Sequence, residues 1–599
     1  MKKPDATENA TDTEKLSRFG FAVSLLKPYK KLLLYGFVSL LIVDIADVLP
    51  PIIIKAAIDS IEKNAGLTTL LYCGAALVIT ALVQGIFRFF WRKFFLGTSH
   101  LSVYDLRKML FSHLLKLPFH YFSRTRTGDI MSRLTNDIQE IRFMLGIGIL
   151  VALDISFYFF TIPFLMLWLS PELTIICMMP MVMIPVLVFA FSKAIHSRSK
   201  KVLERLSDLS SRSEESISGI RIIKGFHTED TEIKKFDATG LKYVRDKIRL
   251  ANIDSIFHPG LDLVIAASMV VLLLFGGKMV IAGAISLGSF IAFMSYMLKL
   301  SWPMIAIGWI TNLYQRSMAS LERCLQILQE PKAESENPPL PVVLADYTIT
   351  VENLCFAYPD SEKKVLENIS FRLDSGKTLG ITGPVGCGKT TLLRLLVNSF
   401  QPDSGTISIG GVNTKDINLG QLRSLFAVVP QETFLFSESI KENILFARKD
   451  KQNDKLALEM AKLAGLASDL KEFPQGLETL LGEKGVNLSG GQKQRVSLAR
   501  ALASDRPILL LDDCISAVDT ETERTILSGI RNATRHRTCI IVSHRMVSLQ
   551  NADLIIYLEN GRIAEMGTHK DLLALKGKYA KTWERQRLKE LLEKEQADA

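Results

Sequence analysis

Paired cysteines are missing from this sequence. The seven that occur (Cys73, Cys177, Cys324, Cys355, Cys387, Cys514 and Cys539) are scattered, with no CxxC pair and no histidine at ligand spacing. A disulfide framework or a zinc site is therefore not expected, and small buried or half-buried thiols are. A basic tail and a basic patch interleaved with aromatics are also lacking, so the net charge of +10 does not describe a nucleic-acid binder. Residues 1–20 are polar and mixed in charge, without the layout of a cleavable leader. The first apolar run is expected to remain as an anchor.

What is present is segregated. At 599 residues the chain is too long for one core, and 48% apolar content beside 22% charge implies greasy spans in one region and a soluble domain in another. Six runs, 31–54, 69–91, 146–169, 172–192, 256–280 and 286–310, are each long enough to cross about 30 Å of hydrocarbon. The third and fourth are separated only by Leu169-Ser170-Pro171-Glu172, which predicts a tight hairpin. Nine Lys or Arg lie between the second and third runs, from Arg92 to Arg142, and fourteen between the fourth and fifth, from Lys193 to Arg249. The opposite loops hold only Lys55, Lys63 and Lys278. Positive charge stays on the cytoplasmic side, so both long loops and both termini are expected there.

Both long loops have helical periodicity, which predicts helices extending out of the bilayer, capped by transverse segments near Ser132–Gln139 and Gly219–Phe226. Ionisable residues within the runs are costly and therefore informative: Asp44, Asp47, Asp154, Asp262 and Lys299. Asp44 and Asp47 share a helix face. They read either as a polar cavity or outer gate attracting a cationic substrate, or as groups paired with other helices or facing water.

The second half, from Tyr347, has the alternating patterns of an α/β domain. Gly383-Pro384-Val385-Gly386-Cys387-Gly388-Lys389-Thr390-Thr391 matches GxxxxGK[ST], follows a strand-like run and precedes a helical one. Its glycines let backbone N–H groups curl around phosphates at a helix N-terminus. Lys389 would face the β- and γ-phosphates, and Thr390 would put a hydroxyl on Mg²⁺. Ile508–Leu511 is an apolar strand ending in Asp512, a second Mg²⁺-holding candidate.

Leu488-Ser489-Gly490-Gly491-Gln492-Lys493-Gln494-Arg495 is the signature sequence of ATP-binding cassette proteins. With six spans, two helical extensions and Thr127-Gly-Asp-Ile-Met-Ser-Arg133, the chain resembles an ATP-binding cassette (ABC) exporter along nearly its whole length. The resemblance implies an α-helical transmembrane domain (30–312) after a short cytoplasmic segment (1–29), a linker (313–346), an α/β P-loop nucleotide-binding domain (347–585) and a polar tail (586–599). It also assigns roles. Tyr358 would stack on adenine, and Gln431 would join Mg²⁺ and the attacking water to the intracellular loops. His544 would contact the γ-phosphate, Ser516 and Asp519 would belong to the loop crossing a dimer interface, and Gly482–Gly485 would touch the intracellular loops. Ser489, Gly490, Gly491 and Gln492 would meet the ATP held by a second subunit.

One position departs from the family pattern. Asp513 stands where a glutamate usually polarises the attacking water. Its side chain ends roughly 1.5 Å short, against a hydrogen-bond window of about 0.6 Å. It reads as a slow, ATP-holding site, the alternative being that a backbone shift or second water lets Asp513 act. The expected function is ATP-driven export of amphipathic or drug-like molecules from a bacterial inner membrane, with ATP and Mg²⁺ as cofactors. The expected partner is a second half-transporter, a heterodimer favoured over a homodimer, alongside membrane lipid and a hydrophobic or amphipathic substrate. A lipid or lipid A-type flippase and a homodimeric multidrug exporter are the alternatives. A soluble cassette ATPase acting on nucleic acid or ribosomes conflicts with the six spans.

Overall fold

The computed structural model describes residues 18–598, apart from 65, 334–340, 359–360, 362, 483–484, 486, 515–522, 524–525 and 531–536. The chain forms two compact units, one of residues up to Leu117 with Thr125–Pro331, the other of Pro118–Arg124 with the chain from Lys332 onward.

Six long apolar helical stretches build the first unit: Arg18–Glu62, Leu67–Leu114, Thr127–Leu169, Pro171–Ser218, Glu229–Ile281 and Leu287–Gln329. Proline lies inside several of them, including Pro50, Pro51, Pro163, Pro259 and Pro303. Proline is tolerated inside membrane helices because neighbouring groups can re-satisfy the freed backbone carbonyls. At the predicted hairpin Ser170 caps the fourth span, its hydroxyl accepting from the Leu173 N–H at 3.4 Å, with Pro171 at the first helical position. A core of Ile162, Met166, Leu173, Cys177, Phe293, Tyr296 and Leu300 joins the third, fourth and sixth spans. Phe160, Met179, Phe189 and Leu263 point outward, as hydrocarbon-facing residues do.

The second transverse segment falls as predicted, with a short helix over Ile220–Phe226. The first does not. Residues 133–137 form a π-turn within continuing helix, held by buried Ile130, Ile138 and Ile141. The short separate helix is Phe119–Arg124, entered through Pro118, and it belongs to the second unit. There the Phe119 ring meets Phe400 edge-on at 6.1 Å, and the Arg394 guanidinium lies 5.6 Å from the same ring.

Among the described residues the second unit holds ten strands: β1 (Ile349–Ala357), β2 (Lys364–Leu373), β3 (Thr378–Thr382), β4 (Ser404–Ile409), β5 (Val412–Asn413), β6 (Phe426–Val429), β7 (Ile508–Asp512), β8 (Thr538–Val542), β9 (Leu554–Glu559) and β10 (Arg562–Gly567). Four form an antiparallel sheet, β2-β1-β4-β5; six form a second, β10-β9-β3-β8-β7-β6, parallel except at β10. Ile508 and Leu510 enter one core while Leu509 and Leu511 enter another on the opposite face. Burial on both faces explains why β7 and β8 are continuous apolar runs.

Candidate functional site

Adjacent parallel strands deliver their C-terminal ends to one place. After β3 the chain turns through Gly383, where a Cβ would stand 2.0 Å from the Leu558 carbonyl oxygen at φ +147°. Gly388, at φ +104°, then opens the helix Lys389–Leu396. Lys389 is almost wholly buried, its Nζ donating to the Gly383 and Pro384 carbonyls at 3.0 and 2.8 Å. The β6 end carries Gln431, the β7 end Asp512 and Asp513, and the β8 end His544.

These residues, with Tyr358, Val365, Val385, Gly386, Gly388, Thr390, Thr391 and Val542, line a cavity of about 340 Å³. Tyr358 reaches it from the end of β1: its hydroxyl pairs with that of Thr391 at 3.0 Å, and its ring packs edge-on against Phe356 and Phe400. Asp512 is buried, and burial raises its carboxyl above the ordinary range. Repulsion from Asp513 acts the same way, while a hydrogen bond from Thr390 and the charges of Arg394 and Lys389 oppose the shift. Asp513 sits in left-handed backbone at φ 47°, its own N–H donating to Val542 and its Oδ1 accepting from the His544 N–H at a long 3.5 Å.

Ser489 opens the helix Gly490–Ala503 with a reciprocal cap: its hydroxyl accepts from the Gln492 N–H, and its own N–H donates to Gln492 Oε1 at 2.9 Å. Gln492 Nε2 and the Arg495 guanidinium both donate to Asp469, so the helix start is fixed from two sides. Motif reading missed Asp469, which lies some twenty residues upstream. Among the described residues a Cβ on Gly490 would meet nothing within 4 Å, so none of them requires glycine there. Ser516, Asp519, Glu483 and Lys484 lie outside the described residues.

In the membrane unit the expected acidic residues separate. Asp47 accepts from Tyr158 Oη at 3.0 Å, from Gln84 Nε2 at 3.3 Å and from Lys299 Nζ, with Arg88 at 3.6 Å. Four helices thus meet on one carboxylate. Asp44 is buried and in hydrogen-bonding contact with Asp154. Asp262 is exposed on the fifth span and takes no part. Arg88 was legible but overlooked: it lies within the second apolar run, one turn from Gln84.

Residues 33–304 match the family described as ABC transporter transmembrane region, and residues 366–516 match ABC transporter. The chain belongs to the ABC transporters. It is 36% identical over 562 residues to the "Probable multidrug resistance ABC transporter ATP-binding/permease protein YheI" of Bacillus subtilis, covering 92% of this chain and 95% of that one. It is 30% identical over 588 residues to the ATP-dependent lipid A-core flippase of Haemophilus influenzae, covering 98% and 100%. A solved bacterial Atm1-family ABC exporter with ATP bound superposes with a TM-score of 0.80 at 25% identity, over 93% of this chain and 99% of that one. This ABC exporter is a membrane protein that binds ATP, and its ATPase is coupled to transport.

Proposed function

We infer that this ABC exporter is one half of an asymmetric dimer in a bacterial inner membrane, with both termini cytoplasmic. In this reading its own ATP site holds nucleotide and turns over slowly. Its signature helix completes a faster site on a partner subunit. The observation that carries the reading is Asp513: a carboxylate one methylene short, on left-handed backbone, whose Oδ1 accepts from the His544 N–H. Gly490 supports the second half, because a glycine without an internal reason at a helix start leaves room for an approaching phosphate.

Lys389 and the loop N–H groups would bind the β- and γ-phosphates, Tyr358 the adenine, and His544 the γ-phosphate. The hydroxyl of Thr390, the amide of Gln431 and the carboxylate of Asp512 are the oxygen donors that suit Mg²⁺, and Asp512, raised by burial, is a carboxylate a cation would stabilise. When bound, Mg²⁺ neutralises charge developing on the phosphates. Ser516 and Asp519 would cross to the partner. The cargo is read as an amphipathic or drug-like molecule, in keeping with a relative named for multidrug resistance; the flippase relative keeps lipid among the candidates.

The test is Asp513→Ala in the assembled complex. Loss of less than about twofold in ATPase rate is expected, against near-abolition when the partner's glutamate is removed, because phosphoryl transfer depends on positioning. The chain purified alone should hydrolyse little ATP. A brisk ATPase from a homodimer, lost on Asp513→Ala, would leave a symmetric exporter using aspartate.

A further inference from the structure

The loop that carries Gln431 is held at its two ends by different elements of the ATP-binding unit. Upstream, β6 runs in register with β7, Val429 beside Leu511, so this end belongs to the ATP-binding sheet. Downstream, the Phe434 carbonyl accepts from Arg500 Nη1 at 2.9 Å. Arg500 lies in the last turn of the helix that Ser489 opens. The other edges of its guanidinium are also engaged: Nε donates to the Asn443 carbonyl at 2.9 Å and Nη2 to Asn443 Oδ1 at 2.7 Å.

Asn443 is fully buried and passes the link on. Its Oδ1 also accepts from the Phe436 N–H at 2.9 Å, and its amide donates to the Phe436 and Ser439 carbonyls at 3.0 Å. The rings of Phe436 and Phe446 stack at 4.7 Å, and the guanidinium lies 5.8 and 5.6 Å from their centroids. Leu435, between the two linked carbonyls, is buried in the same core as Leu488 and Val496. Residues 434–436 are thus tied to the signature helix, while Val429 is paired within the sheet and shares this core. Residues 430–433, with Gln431 among them, run between these two attachments.

We propose that Arg500 is a positioning residue that transmits displacement of the helix opened at Ser489 to Gln431 at this chain's own ATP site, so that the two ATP sites of the dimer communicate through it. The proposal rests on the reading that Ser489 faces a nucleotide held by the partner. Arg500 does not itself line the ATP cavity. Lysine cannot substitute, because one ammonium cannot hold three acceptors in the fixed fork that a guanidinium presents.

The experiment uses the complex assembled with its partner. This chain's own site is photolabelled with azido-ATP, once with the partner's site trapped by vanadate and once without trapping, and the ratio is compared with the thermal midpoint. The wild-type ratio should differ from unity by at least about fivefold. Arg500→Lys, which keeps the charge over the rings, should bring it within about twofold of unity while untrapped labelling stays unchanged. A lowered melting temperature with an unchanged ratio would make Arg500 only a structural staple and overturn the proposal, as would a wild-type ratio near one. Should Arg500→Lys fail to assemble, Phe436→Leu, which loosens the guanidinium seat from an exposed face, carries the test. A halved ratio supports the proposal and an unchanged one overturns it. Ser489→Arg, measured alongside, reports on the underlying reading: no ATPase loss there removes that reading, whereas loss there with an unchanged ratio in Arg500→Lys removes only the role of Arg500.

Discussion

Lys389 is held by two carbonyls of its own loop, so its ammonium is already aimed before any nucleotide arrives. Lys389→Ala should weaken ATP photolabelling of this chain by about ten- to a hundredfold, the value of one charge-assisted contact of roughly 1.5–3 kcal/mol. Unchanged labelling would contradict the assignment. Gly383→Ala should do at least as much damage without removing a charge. Its Cβ would press on backbone at Leu558, which cannot swing aside as a side chain can, and the left-handed φ adds strain. At this scale motif spacing was informative because chemistry fixed it: a loop that must wrap phosphate tolerates few residue types. Asp469 and the Tyr358–Thr391 pair were illegible for the opposite reason. Each depends on a partner brought close by folding, and nothing local in the sequence marks either.

The helices were legible as apolar runs, because a segment crossing hydrocarbon must satisfy its backbone internally and carry few charges. The first transverse segment was expected near Ser132–Gln139, where the helix in fact continues. Ile130, Ile138 and Ile141 keep that stretch packed and helical, while the break falls earlier, at Leu117-Pro118, where proline removes a backbone donor. The Asp47 hub shows a second limit at this scale. Separate runs revealed that Asp47 and Lys299 were unusual, but not that the first, second, third and sixth spans converge on one carboxylate. Asp47→Ala leaves Arg88 and Lys299 without that partner in an apolar setting. A loss of about 1.5–3 kcal/mol is expected, seen as a lower melting temperature in detergent, and Asp47→Asn should lose less because it keeps an acceptor. An unchanged melting temperature for Asp47→Ala would mean that the hub contributes nothing to holding the four spans together.

For the whole molecule, the charge distribution and the proposed sharing of ATP sites between subunits make linked demands. If both long loops are cytoplasmic, single cysteines near Arg124 or Lys224 should escape an impermeant thiol reagent added outside intact cells, and one at Leu67 should be labelled. Strong external labelling near Lys224 would invert the topology and put the ATP-binding unit on the side without ATP. Given that orientation, the sharpest consequence of the proposed asymmetry concerns a residue that does not line this chain's own ATP cavity. Ser489 caps the signature helix, and no described residue crowds the space beside Gly490 at its positive end. Ser489→Arg puts bulk where the partner's γ-phosphate would approach. It also removes the hydroxyl that accepts from the Gln492 N–H, a cap worth about 1 kcal/mol, which is too little to unfold the unit. ATPase of the complex should therefore fall by about a hundredfold or more, while photolabelling of this chain's phosphate loop stays near wild type, because positioning rather than covalent chemistry sets the rate. On the proposed reading the same substitution should act far more strongly than Asp513→Ala, although Asp513 lines this chain's own ATP cavity and Ser489 does not. An equal loss from both would mean that each chain hydrolyses its own ATP with the same machinery, and the dimer would then be symmetric in function whatever its partner.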